Sequence, residues 1–212
     1  MLKPWMVYKR LTAALLLAGA VWLGVAQAVA APKVPAPTVL VNDFANALTP
    51  AEKETLTGIA ASLQDATGAQ MAFVIMPDIE PFDDMTYGMA IFDQWKLGEK
   101  GKDNGLLILL ALKEHRIRII SGYGLEAILP DGKLGRFRDE YLVPYLKQNR
   151  LGEGLANLGL RLAQEVAQAE GKTLSGAGAQ APHRKSRRGD SPLLNLVVLL
   201  LLVVMAIVSS IA

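Results

Sequence analysis

Asp103, Asn104, Glu126 and Asp131 are the residues of this sequence whose types and spacing could best do chemistry. Carboxylate and amide oxygens are the ligands that calcium and magnesium take. A cation held by Asp103 and Asp131 would polarise a phosphoryl oxygen and activate water, with Glu126 as a further ligand or as the base. Lys102, Arg136 and Arg138 are the cations that could steady a phosphate. The spacing matches no calcium-loop motif. Asp, Asn and Gly are also the ordinary residues of turns, so by spacing alone the set reads first as plain turn chemistry.

These residues meet only if the chain between them folds back. Residues 105–112 read as an apolar strand, 113–115 as a turn, and 116–121 as a return strand. In the return strand Ile117 and Ile119 share one face, and Arg116 and Arg118 the other. A hairpin places the start of its first strand beside the end of its second. Residues 102–105 therefore lie beside residues 121–126. Residues 70–76 form another apolar run, the pattern of a buried strand. A helical crossover joins it to the strand at 105, so the two run parallel and Gly68 and Gln70 reach the same sheet edge.

Helices supply the rest. Thr49-Pro50-Ala51-Glu52 is a capping box with proline at the first helical position, opening a helix to about Thr67 that Gly68 can end. Asp83 or Asp84 caps a second helix reaching about Trp95. Residues 133–147 are helical, with Pro144 expected to kink or end the helix. Residues 151–169 form the last helix, with Leu155, Leu158, Leu162 and Val166 on one stripe. Residues 39–41 are expected as a short strand, followed by a loop that holds Asp43. The expected fold is α/β: a single three-layer α/β/α domain with a small mixed sheet, plus a C-terminal transmembrane helix.

Several chemistries are excluded. There is no cysteine, so no disulfide framework, thiol catalysis or cysteine-ligated zinc. His115 and His183 are too few for a multi-histidine metal site. Ser121 is not in a Gly-x-Ser-x-Gly elbow. His115 sits at the hairpin turn, away from the acidic residues. Gly122-x-Gly124-x-x-Ala127 imitates a dinucleotide fingerprint, but the strand before it closes a hairpin and no long helix follows. No organic cofactor is implied.

Charge and hydropathy divide the chain. Residues 1–31 join a basic start to a long uncharged run ending in Ala26-Gln27-Ala28, the pattern of a secretion signal or an uncleaved signal anchor. Residues 32–37 are a proline-rich spacer, 38–170 the folded domain, and 171–191 a flexible basic linker. Residues 192–212 carry an apolar run long enough to span a bilayer. From residue 37 to 170 there are 13 Lys and Arg against 19 Asp and Glu, so the domain is acidic and poorly suited to nucleic acid. The basic cluster from His183 to Arg188 would lie on the outer side, against the positive-inside preference, and is expected to rest on anionic headgroups. The sequence thus describes a membrane-anchored protein with its domain on the extracytoplasmic, periplasmic side.

Val41-Asn42-Asp43-Phe44-Ala45, Thr67-Gly68-Ala69-Gln70, Trp95-Lys96-Leu97-Gly98, Gly101-Lys102-Asp103-Asn104-Gly105-Leu106-Leu107 and Gly122-Tyr123-Gly124-Leu125-Glu126, with Leu129-Pro130-Asp131, occur in that order. Together they resemble the TPM-domain family, named for a thylakoid lumen protein, a photosystem II repair factor and a modulator of acetylcholine receptors. The resemblance covers residues 38–170. It implies an exported, often membrane-tethered α/β/α domain. Many bacterial members carry a glycine-rich tail after the membrane helix, and this sequence reads to Ala212 without one. Family members are linked to assembly or repair of membrane complexes, to acid phosphatase activity and to calcium binding. The resemblance therefore implies an accessory or maintenance module for envelope membrane proteins, with metal-assisted phosphate monoester hydrolysis as the alternative. It supports Asp103, Asn104, Glu126 and Asp131 as a site edge for calcium or magnesium and adds Asp43 nearby.

Overall fold

Thr49 starts the first helix because its side chain and that of Glu52 satisfy each other's backbone. The Glu52 N–H donates to Thr49 Oγ1 at 3.3 Å, and the Thr49 N–H donates to Glu52 Oε2 at 2.8 Å. The helix, α1, runs Pro50–Thr67 and ends at Gly68, whose φ of 76° is open to glycine at no steric cost. In this computed structural model, residues 31–38 and 40–176 are described. The expected secretion segment up to residue 30, most of the basic linker and the expected membrane helix lie outside the described residues. Among the described residues no helix is long and apolar enough to cross a membrane.

Four strands make one mixed sheet: β1 (Val41–Asp43), β2 (Gln70–Met76), β3 (Gly105–Ala111) and β4 (Arg116–Ser121), in that spatial order. β1, β2 and β3 run parallel, with Gln70 opposite Gly105 and Asp43 opposite Ile75. β4 is antiparallel to β3, as the hairpin pattern requires, with Leu106 opposite Ser121. The expected strand at 39–41 is displaced. Asn42 and Asp43 belong to β1 rather than to a loop, and Val39 lies outside the described residues. The displacement follows from pairing with the apolar β2, and Asn42 is tolerated there because its Oδ1 accepts the Thr38 N–H at 2.9 Å.

Helices pack on both faces of this sheet. α2 (Asp84–Trp95) is capped by Asp83, whose Oδ1 accepts the N–H groups of Met85 and Thr86. Its Tyr87 and Ile91 join Ala72, Val74, Leu107 and Leu109 in one buried cluster. The alternate side chains of β2 face the other way, and Phe73 meets Gly159 of α5 (Leu151–Ala169). Strand periodicity thus divides one run of apolar residues between two cores.

The segment expected as one helix over 133–147 is three pieces. α3 is Asp131–Phe137, a π turn follows at Arg138–Leu142, and α4 is Val143–Leu146. Pro144 has no N–H and its ring crowds the carbonyl four residues back, so the turn ahead of it widens. The break therefore falls before the proline.

Candidate functional site

The edge at the start of β2 and β3 is where the chain's glycine-rich turns meet. The Gly122 N–H donates to the Gly105 carbonyl at 2.8 Å, and the Gly124 N–H to the Asp103 carbonyl at 3.1 Å. A Cβ on Gly122 would lie 2.1 Å from the Asp103 oxygen, and one on Gly124 2.0 Å from the Lys102 oxygen. Both glycines are needed because two backbones touch there. The 3-10 turn Tyr123–Leu125 rides on this contact.

Gln70 and Asn104 lock the same edge from beneath. The Gln70 N–H donates to the Asn104 carbonyl at 3.1 Å, while Gln70 Oε1 accepts the Gly98 N–H at 3.0 Å. Asn104 Oδ1 accepts the Glu99 N–H at 2.8 Å, and Asn104 is only 6% exposed. A buried amide that organises a loop in this way is held by the loop in return. Its oxygen already serves the backbone.

The five candidate site residues therefore separate. Asp103, with φ of 49°, and Glu126 are exposed on adjoining loops of this edge. Asn104 lies beneath them. Asp131 opens α3 and lines a separate hollow of about 140 Å³ with Arg118 and Arg138. Asp43 is at the opposite end of the parallel strands, since it pairs with Ile75 while Gln70 marks the glycine-rich edge. Five strand residues, about 17 Å, separate the two levels. Among the described residues no three His, Asp or Glu side chains gather as a metal-binding group.

Asp43 is engaged in structure. Its oxygens accept the Ala47 and Leu48 N–H groups, each at 3.0 Å, and Lys53 Nζ lies 2.9 Å away. The Asp43 side chain is 1% exposed. Burial alone would raise its pKa, but the Ala47 N–H, the Lys53 ammonium and the Leu48 N–H outweigh burial and hold it below the ordinary carboxylate value. Glu165 of α5 is likewise held low, first by Lys133, with burial opposing and Arg161 assisting.

Two features escape a reading by motif. Tyr123, inside the glycine-rich turn, is 80% exposed and is the most accessible large apolar side chain of this edge. Its position between two glycines fixed by backbone contact is the signal that it must point away. The other feature is that both flanks of the domain are fastened down. Trp95 Nε1 donates to the Pro35 carbonyl at 2.9 Å, and Gln94 Nε2 to that of Pro32 at 3.2 Å. Beyond α5, Ser175 exchanges hydrogen bonds with the Ser62 hydroxyl, at 2.7 and 3.2 Å.

Comparison with known proteins agrees with this fold. Residues 41–165 match the TPM domain family. None of the curated proteins matches. Among solved structures, the N-terminal domain of a protein from P. gingivalis is 29% identical, with a TM-score of 0.59 over 66% of this chain and 88% of that one. The BA42 protein of Bizionia argentinensis is 17% identical, with a TM-score of 0.52 over 59% of this chain and 86% of that one. The N-terminal domain of a Corynebacterium glutamicum protein is 13% identical, with a TM-score of 0.50 over 68% of this chain and 93% of that one. The last two are similar in fold alone.

Proposed function

The chain belongs to the TPM-domain family, and from that premise we propose that it is an exported, membrane-tethered accessory module serving envelope membrane proteins. The observation that carries this reading is where the flanks are fastened. Pro35 is held by Trp95, at the end of α2 that leads into the Gly98–Gly105 loop. Ser175 is held by Ser62, in the last turns of α1 before Gly68. Both fastening points thus lie in the half of the domain that ends in the glycine-rich edge, Pro35 at the edge and Ser175 beside Ser62, six residues before Gly68. We take that half as the one nearer the bilayer, and Tyr123 is its most exposed large apolar group. An aromatic ring with a polar tip suits a headgroup-level or protein contact.

Asp103 and Glu126, on adjoining loops, would hold calcium or magnesium weakly, with water completing the shell. Phosphate hydrolysis has less behind it, because Asp131 lies with Arg118 and Arg138 in another hollow and Asn104 is committed to Glu99.

Photocrosslinking in native membranes tests the tethered-module reading. A photoreactive residue at position 123 should capture membrane proteins, whereas one at Glu54, exposed near the far end of α1, should not. Equal capture from both positions, or none from either, would sink it.

A further inference from the structure

β4 closes one side of the sheet, and its outer edge pairs with no strand among the described residues. The hairpin decides which of its backbone groups face out. The Gly122 N–H bonds the Gly105 carbonyl and the Gly124 N–H that of Asp103, and in an antiparallel ladder every second pair is bonded. Leu107 with Ile120, Leu109 with Arg118 and Ala111 with Arg116 are therefore the bonded pairs. Ile117 and Ile119 turn their N–H and C=O groups outward, where no described residue bonds them. Such an edge is ordinarily covered, bulged or broken by proline. β4 runs six residues without a proline.

Space is left beside that edge on both faces. On one face, a hollow of about 140 Å³ lies between Ile117 and Ile119 of β4 and Leu134 and Gly135 of α3, with room for an aliphatic side chain. On the other face α2 lies over β3 and β4. A Cβ on its Gly88 would stand 2.9 Å from Ile120 Cδ1 and 3.5 Å from Arg118 Cγ. Tyr87, one residue earlier, joins Ala72 and Val74 of β2. Met85 and Met89 fall on the opposite flank of the helix, the one toward the open edge, and are 47% and 40% exposed. Methionine adapts its flexible side chain to whatever lies against it.

The charge along this edge is opposite to that of the domain. Residues 116–138 hold 5 Lys and Arg against 2 Asp and Glu, whereas residues 37–170 hold 13 against 19. Arg118 is held by Asp84 at 2.7 and 2.9 Å, and Arg138 by Asp139 at 2.8 Å. Arg116 shares the α2 face with Arg118, is exposed, and makes no ion pair among the described residues. Asp131, the carboxylate lining the hollow, belongs to the other face.

We propose that β4 takes up an extended segment of a partner protein as a fifth strand. Its aliphatic side chains lie in the hollow beside Ile117 and Ile119 and below Met89, and one acidic side chain stands opposite Arg116. The main-chain bonds supply affinity, and the flanking side chains supply choice. A second copy paired through the same edge brings no acid to Arg116, because the strand from Arg116 to Ser121 holds none. The site does not depend on the tethered-module reading, which concerns the glycine-rich edge.

The test uses the isotope-labelled full chain in lipid nanodiscs. It is titrated with a peptide of alternating valine and threonine that carries glutamate at one end, made with the glutamate at either end because a strand adds in either direction. Binding should move the amide signals of Ile117 and Ile119 saturably and slow their hydrogen exchange, while Ala72 and Val74 of β2 stay put. A lysine in place of the glutamate should weaken binding about fivefold, the upper scale of a cross-strand charge pair. Arg116→Glu should reverse that preference without touching the backbone. Ile119→Pro should abolish binding. The N–H it removes points outward, so the ladder to β3 survives, and unchanged Ala72 and Val74 signals show that the variant is folded. Equal binding of the glutamate and lysine peptides, undiminished binding by folded Ile119→Pro, or no shift at Ile117 and Ile119 with millimolar peptide would overturn the proposal. So would protection of Ile117 and Ile119 that rises with protein concentration in the absence of peptide, which gives the edge to a second copy.

Discussion

The backbone N–H of Gly124 donates to the carbonyl of Asp103 at 3.1 Å, so two turns whose contacting residues lie 21 positions apart share one backbone contact. The acidic side chain of Asp103 is left outside, and its main chain does the structural work. This assigns the glycines to architecture and the exposed side chains between them, Asp103, Tyr123 and Glu126, to whatever the edge meets.

Gly124→Ala should destabilise the domain strongly. The new Cβ would stand 2.0 Å from the Lys102 carbonyl oxygen, a backbone atom that cannot swing aside. A loss of about 1–3 kcal/mol is the ordinary scale of overpacking, and a backbone clash belongs at its upper end. Gly132→Ala is the control, because a Cβ there meets nothing within 4 Å. Urea unfolding monitored by circular dichroism checks both, and equal midpoints would refute the contact argument.

Asp43 should make stability depend on acid pH. Its folded pKa is depressed below the ordinary 3.8, so its contribution is fully present above that value and is lost as pH falls through the folded pKa. Asp43→Asn keeps the shape and weakens the bonds to Lys53, Ala47 and Leu48. It should cost roughly 1–3 kcal/mol at neutral pH. The gap between wild type and variant should close below pH 4, measured as urea midpoints across the range. A gap independent of pH would remove the ionic account.

Much of this fold is legible in residues 49–76 and 105–121, where a capping box, two apolar runs and a charged hairpin turn each have one reading. The site is less legible, because a hairpin brings residues to one edge without saying which way their side chains point. Asp103 and Glu126 stay outside, Asn104 turns inward to Glu99, and Asp131 moves off on α3. Asp43 resembles a ligand by type, but Lys53 lies ten residues later, one turn into α1, where no motif would pair the two. The π turn at Arg138–Leu142 is similarly hidden, since Pro144 announces a break without fixing its position.

Asn104→Ala should act on stability alone. Removing Oδ1 leaves the Glu99 N–H without its acceptor, at a cost of roughly 1–3 kcal/mol. The loss should be equal in calcium, in magnesium and in chelator. A midpoint difference that appears only with calcium would make Asn104 a ligand after all.

Phosphate-ester hydrolysis by the full chain, with magnesium, manganese or calcium, should not exceed that of the Asp103→Asn, Asp131→Asn double variant. These residues sit apart, Asp131 beside Arg118 and Arg138 and Asp103 on the loop ahead of β3. Turnover lost in the double variant would make the hydrolase reading primary.

Trp95→Phe should release the N-terminal flank while sparing the core. The indole N–H holds the Pro35 carbonyl at 2.9 Å, and Val34 packs beside it against the α2 face. Phenylalanine keeps an aromatic body but cannot donate, so the loss is one hydrogen bond, about 0.5–1.5 kcal/mol. That is a small change in global stability and a large one for a short docked segment, whose local opening is governed by few contacts. Limited proteolysis should therefore cut near residues 32–37 faster in Trp95→Phe, with the urea midpoint nearly unchanged. Cleavage at the wild-type rate would mean that Val34 alone fastens the flank, and the orientation argued from Pro35 would lose its anchor.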